Sequence, residues 1–92
     1  MPMKKITADR ETVLKNLLYK GIKVVGTTED FDGSEGGIWL SAEEPQNTFF
    51  FDYYTSSRTY ELGIRKTFSD QLQSLGWYAE WHDPGTLMLW RI

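Results

Sequence analysis

Few residues in this chain could do chemistry unaided. The single histidine, His82, sits beside Asp83. A His–carboxylate pair serves hydrolysis only when a nucleophile is held against the imidazole. Serines and threonines are plentiful, but no spacing ties one of them to His82, which reads as a polar hairpin residue. The chain has no cysteine, which removes thiolate nucleophiles, thiolate zinc sites and disulfides together. The stretch Asp30-Phe31-Asp32-Gly33-Ser34-Glu35 invites a calcium-loop test. With Gly33 sixth, Thr28 falls first and Trp39 twelfth, where an acid and a bidentate glutamate are required. The match fails at both ends. Gly33, Gly36 and Gly37 lie among acids that would repel a phosphate. Glu43 and Glu44 are adjacent, with nothing to set them across a cleft as a glycosidase needs. The expectation is a protein that is not an enzyme and takes no metal or cofactor.

Charge carries more information than catalysis does. From Met1 to Lys23 six Lys/Arg (Lys4, Lys5, Arg10, Lys15, Lys20, Lys23) face only Asp9 and Glu11. From Val24 to Gly63 eight acids, Glu29, Asp30, Asp32, Glu35, Glu43, Glu44, Asp52 and Glu61, face Arg58 alone. A one-sign field of that kind attracts a basic protein surface and repels nucleic-acid backbone. The plainer reading is a solvated face that keeps the protein in solution.

Aromatic content is 15%, with four Trp, five Tyr and five Phe in 92 residues. So many rings need a core or a partner, which excludes a disordered chain. Aromatic side chains can stack on bases, but Phe49, Phe50, Phe51, Tyr53 and Tyr54 lie within the acidic block with no interleaved base before Arg58. That arrangement disfavours direct nucleic-acid binding. Glu29, Asp30, Asp32, Glu35, Glu43, Glu44, Asp52, Tyr53 and Tyr54 are the candidate protein-binding residues. No apolar run reaches the length of a membrane span and the N-terminus turns polar at once, so a cytoplasmic protein is expected.

The elements that must position these residues fit one domain over 1–92. A helix is predicted from about Ala8 to Tyr19, capped by Thr7 and stopped by Gly21, with Val13, Leu14, Leu17 and Leu18 on one face. Ile22-Lys23-Val24-Val25 reads as a strand continuing towards Thr28, and Phe31 to Gly37 as a loop. Ile38-Trp39-Leu40 is a second strand and Thr48 to Tyr54 a third, the strongest by propensity. Ile64, Phe68, Leu72 and Leu75 mark a second helix, starting between Ile64 and Phe68 and closed by Gly76. A hairpin follows, Trp77 to His82 and Thr86 to Ile92, turning at Asp83-Pro84-Gly85. With Asp83 facing Thr86, a regular ladder puts Trp77, Ala79, Trp81, Met88, Trp90 and Ile92 on one apolar face; a bulged or longer loop is the alternative, and a one-residue slip swaps the faces. The order α-β-β-β-α-β-β predicts an α+β fold, a single two-layer domain with an antiparallel sheet and two short helices on one side.

The segment Leu75-Gly76-Trp77-Tyr78-Ala79-Glu80-Trp81-His82-Asp83-Pro84-Gly85-Thr86-Leu87-Met88-Leu89-Trp90 resembles the closing segment of small phage and mobile-element proteins. Asp52-Tyr53-Tyr54 and Gly63-Ile64 fit the same likeness, which covers about the last forty residues. Small acidic phage proteins without an active site are similar in kind to anti-CRISPR proteins and other inhibitors of host defence. The resemblance implies a non-enzymatic inhibitor that occupies a basic surface of a host nucleic-acid-handling complex, and it transfers no individual residue. The alternative is a small accessory protein that homo-oligomerises, as a homodimer for instance, through exposed aromatics or an edge strand.

Overall fold

The computed structural model describes residues 7–92; Lys4 and Lys5 of the basic N-terminal stretch lie outside them. Helix α1 (Arg10–Tyr19) opens on Asp9, whose carboxylate accepts the Thr12 N–H at 2.8 Å. Asp9 therefore replaces Thr7 as the cap, since an anionic acceptor also meets the positive end of the helix. Those bonds to Thr12 hold its carboxyl below the ordinary carboxylate range. Val13 and Leu17 are buried and Leu14 packs beside them. The helix stops where expected, at Gly21 with φ 85°.

Strands β1 (Val24–Thr27) and β2 (Ile38–Ser41) flank helix α2 (Thr28–Asp32). A ribbon of β3 (Tyr60–Glu61) and β4 (Ile64–Arg65) leads into helix α3 (Lys66–Ser74), and β5 (Trp77–Asp83) with β6 (Thr86–Arg91) closes the chain. The main sheet runs β1-β2-β6-β5, antiparallel throughout. Val13 and Leu17 of α1 and Phe68 and Leu72 of α3 share one core with Ile38, Leu40, Trp77, Leu87 and Leu89 of the sheet. The fold is α+β, with an antiparallel sheet, as the element order predicts.

Two local expectations are corrected. The first strand ends at Thr27 because the buried Thr28 hydroxyl closes a loop, donating to the Ser34 carbonyl at 2.8 Å and accepting the Gly37 N–H at 2.9 Å. Thr28 to Asp32 winds into α2, so Phe31 and Asp32 are helical and not loop. The second correction is larger. Thr48 to Tyr54 is no strand: Pro45–Asn47 forms a 3-10 turn, the chain keeps turning through Phe50, and Phe51 alone bridges Ile64. The cause is Asn47, fully buried and bonded to the Lys23 N–H (2.8 Å), the Lys23 carbonyl (3.0 Å) and the Ser41 carbonyl (2.9 Å). Those bonds tie the segment crosswise between β1 and β2, and tertiary satisfaction overrides strand propensity.

The hairpin register also differs. Asp83 faces Thr86 as expected, but an irregularity between Trp81 and Asp83 moves the pairing by one residue. Trp81 then opposes Leu87, Ala79 opposes Leu89 and Trp77 opposes Arg91. An extra residue in one strand switches every following partner to the other face. The core face is Trp77, Ala79, Trp81, Leu87 and Leu89. Met88 and Trp90 turn to the opposite face with Tyr78 and Glu80, and Ile92 is exposed. Trp90 lies so close to Gly37 that a Cβ there would sit 2.7 Å from its ring.

Candidate protein-interaction surface

The acidic block divides into paired and unpaired members. Glu29 projects from α2 onto Arg10 of α1, with Oε1 at 2.7 Å from the guanidinium, while Oε2 accepts the Gly36 N–H at 3.1 Å. The Gly36 bond and the Arg10 bond lower its pKa to about 2. Glu44 pairs with Lys23 at 3.4 Å. Both serve the fold's own contacts. Asp30, Asp32, Glu35, Glu43 and Asp52 make no ion pair among the described residues.

The unpaired acids are placed by local geometry. Asp30 accepts the Thr27 hydroxyl at 3.1 Å. Asp32 closes a turn by accepting the Ser34 N–H at 3.0 Å; Ser34's bonds, then the nearby His82, keep its carboxyl below the ordinary range. Phe31 stands edge-on to both Trp39 and His82, each at 4.8 Å between centroids, and so fixes α2 against the far face of the sheet. Trp39 in turn lines a hollow of about 470 Å³ with Glu43, Glu44 and Asp83. A smaller hollow next to it, about 190 Å³, brings Glu43, Asp52 and Tyr54 together around Pro84 and Gly85. Glu43, Asp52 and Asp83 thus ring the β5–β6 turn at one end of the sheet, while Asp30 and Asp32 sit on α2, either side of Phe31, whose ring meets Trp39 of the same hollow.

Glu35 does not join them. It lines a separate hollow of about 280 Å³ with Tyr78, Trp90 and Arg91. Tyr54, 80% exposed, belongs to the acidic end, whereas Tyr53, 46% exposed, turns its ring edge-on to Trp81 at 5.3 Å. Tyr53 and Trp81 border an aromatic groove of about 550 Å³ with Tyr60, Leu62, Gly63, Thr55 and Ser56. Leu62 is 85% exposed and holds φ 52°, a backbone conformation that side chains of its kind rarely adopt. Sequence reasoning missed Asp83, Tyr60, Leu62 and Trp81 at this surface. Asp83 could have been found from the turn itself, because the hairpin tip carries it next to the acidic block. The groove residues gave no such signal.

The remaining chemistry is sparse. His82 is exposed and its ring is met by Phe31. Among the described residues, no group of three or more His, Asp or Glu side chains is placed to hold a metal ion, and no helix is long and apolar enough to cross a membrane. No protein-family model matches the chain, and comparison with curated proteins and with solved structures finds no match.

Proposed function

We propose that this protein is a non-enzymatic binding module that docks its acidic, aromatic end on a basic protein surface. The observation that carries the reading is the ring of Glu43, Asp52 and Asp83 around the β5–β6 turn, with exposed Tyr54 among them and Asp30 and Asp32 on the neighbouring α2. Unpaired carboxylates steer an oppositely charged partner during encounter, and tyrosine supplies contact area at low entropic cost. The two acids with cationic partners, Glu29 and Glu44, fall outside this role.

The finer form of the proposal follows the C-terminal resemblance. The protein then acts as a phage or mobile-element inhibitor, in the anti-CRISPR manner, occupying the basic surface on which a host complex handles nucleic acid. Carboxylates spaced along the sheet end stand in for phosphates in that form. The test is competition: the target, loaded with its nucleic acid, is titrated with the protein. Displacement of the nucleic acid supports the inhibitor form. Simultaneous binding of both overturns it while leaving a protein-binding role, and salt-insensitive association overturns the electrostatic reading altogether.

A further inference from the structure

β5 closes the sheet on one side and, among the described residues, pairs only with β6. The Ile92 N–H donates to the Gly76 carbonyl at 2.8 Å. In an antiparallel ladder every second residue faces the same neighbour, so Tyr78 and Glu80 turn their backbone groups to β6. Trp77, Ala79 and Trp81 turn theirs away from β6; Trp77 is fully buried, and Ala79 and Trp81 are half-buried. Edge strands are commonly blunted by lysine or proline, and β5 carries neither; its irregularity begins only after Trp81.

Beside this edge, on the core side, runs a groove of about 310 Å³. Leu62, Ile64 and Ala79 form its apolar part, with Lys66, Asp70 and Gln73 along α3. The charges near the edge are unequal: Glu61, Asp70, Glu80 and Asp83 face Lys66, all exposed. Arg91, the other nearby cation, lies over Trp77 at the far end of the strand. α3 packs against β5 and β4, so two copies joined edge to edge would bring their α3 helices together above the joint. A single extended segment meets no such obstacle.

We infer that the open edge of β5 receives an extended basic segment of the partner protein as a fifth strand. This rests on the docking function proposed above and names the part of the partner it engages. Backbone groups of Ala79 and Trp81 supply the new ladder, as in other strand additions. Side chains of the guest alternate between the two faces of the sheet. Those on the far face meet Tyr78 and Glu80, which favours lysine or arginine; those on the core side enter the groove at Leu62, Ile64 and Ala79, which favours a small aliphatic.

The probe is a fluorescent, end-blocked peptide Lys-Val-Lys-Val-Lys-Val, with Glu-Val-Glu-Val-Glu-Val and Lys-Val-Lys-Pro-Lys-Val as comparisons. Binding is followed by anisotropy at low salt and by amide hydrogen exchange on the intact chain. Saturable binding of the first peptide alone, with exchange at Ala79 and Trp81 slowed about tenfold or more, supports the inference. Ala79→Pro removes an N–H that β6 does not use and should abolish binding. Glu80→Lys, an exposed change that spares the fold, should weaken it by about five- to tenfold. Absence of peptide binding overturns the inference, as does slow exchange at Ala79 before any peptide is added, whether the chain itself or a second copy protects it. Binding that survives both variants but disappears with Glu43→Gln and Asp52→Asn overturns the edge site and leaves the acidic docking function standing.

Discussion

The indole N–H of Trp81 donates a 2.7 Å hydrogen bond to the backbone carbonyl of Leu62. That bond joins the long hairpin to the short β3–β4 ribbon and sets the wall between two grooves. The ribbon turns through Leu62 and Gly63 at φ 52° and 77°, both left-handed, as a two-residue hairpin turn with right-handed strand twist requires. At Gly63 a Cβ would stand 2.8 Å from the Asp52 carbonyl oxygen, 2.9 Å from the Tyr53 Cα and 3.2 Å from the Trp81 ring.

Gly63→Ala should therefore be among the most damaging small substitutions in the chain. Left-handed backbone costs a side chain about 1–2 kcal/mol, and crowding against two backbone atoms adds about 1–3 kcal/mol more. Chemical denaturation should show the loss, together with a change in Trp fluorescence as Trp81 shifts. A variant as stable as the parent would mean that the turn is not built this way.

Leu62→Asn tests the opposite sense. Asparagine tolerates the left-handed region, and Asn-Gly is the preferred pair for this turn. The exposed leucine side chain contributes little burial, so the melting temperature should rise by about 4–8 °C for each kcal/mol of strain relieved. If partner binding falls while stability rises, Leu62 is kept for contact, at the expense of the fold.

Asn47 supplies a third test. Its carbonyl oxygen accepts one bond and its amide donates two, which leaves no idle donor. Asn47→Leu strands the Lys23 N–H and two carbonyls in a partly buried place and should cost about 2–4 kcal/mol. Asn47→Asp should do worse, because a carboxylate would replace the amide that faces the carbonyls of Lys23 and Ser41. Urea midpoints of the two variants check both the size and the order.

The same residue explains what was legible in the sequence. The periodicity of Val13 and Leu17, and of Phe68 and Leu72, speaks directly of helical faces, because burial there depends only on spacing along one element; Ile64, read into the second stripe, belongs instead to β4. The antiparallel hairpin was equally plain from its apolar runs and its turn. Thr48 to Tyr54 was misleading because its conformation is decided by Asn47 bonding to Lys23, 24 residues away. The faces of Met88 and Leu87 depended on one extra residue between Trp81 and Asp83, which propensity does not register. At the surface, acid identity was readable, but the pairing of Glu29 with Arg10 and of Glu44 with Lys23 is a tertiary fact.

Glu29 gives a pH prediction. Its pKa falls from the ordinary 4.5 to about 2, through the Gly36 N–H first and Arg10 second. A carboxyl with a lowered folded-state pKa stabilises the fold above its unfolded value and loses that contribution as pH falls through the folded one. The α1–α2 contact should thus weaken progressively between about pH 4.5 and pH 2. Glu29→Gln should flatten the dependence of melting temperature on pH in that window. High salt should reduce the difference, since the pair is partly exposed. Parallel pH curves for variant and parent would show that the pair does not contribute.

The acidic end itself is tested by comparing acids that differ only in placement. Asp30→Asn, Asp32→Asn and Glu43→Gln together keep the hydrogen bonds that Asp30 and Asp32 accept from Thr27 and Ser34, so the fold should persist. Glu43 lies at the turn end assigned to the basic partner, and Asp30 and Asp32 flank Phe31, whose ring meets Trp39 of the same hollow. Association at low salt should slow by about tenfold, with dissociation changed less, because exposed charges act mainly on encounter. Glu35→Gln removes a charge from a different hollow and should leave the rate nearly unchanged. Glu44→Gln breaks the Lys23 pair without touching the unpaired ring, and should also be mild. At about 1 M salt the Debye length shrinks to about 3 Å, and the triple variant should then associate as the parent does. A triple variant equal to the parent at low salt would return these carboxylates to a role in solubility. A single Glu35→Gln effect as large as the triple one would move the interface to the other end of the sheet, around Tyr78 and Trp90.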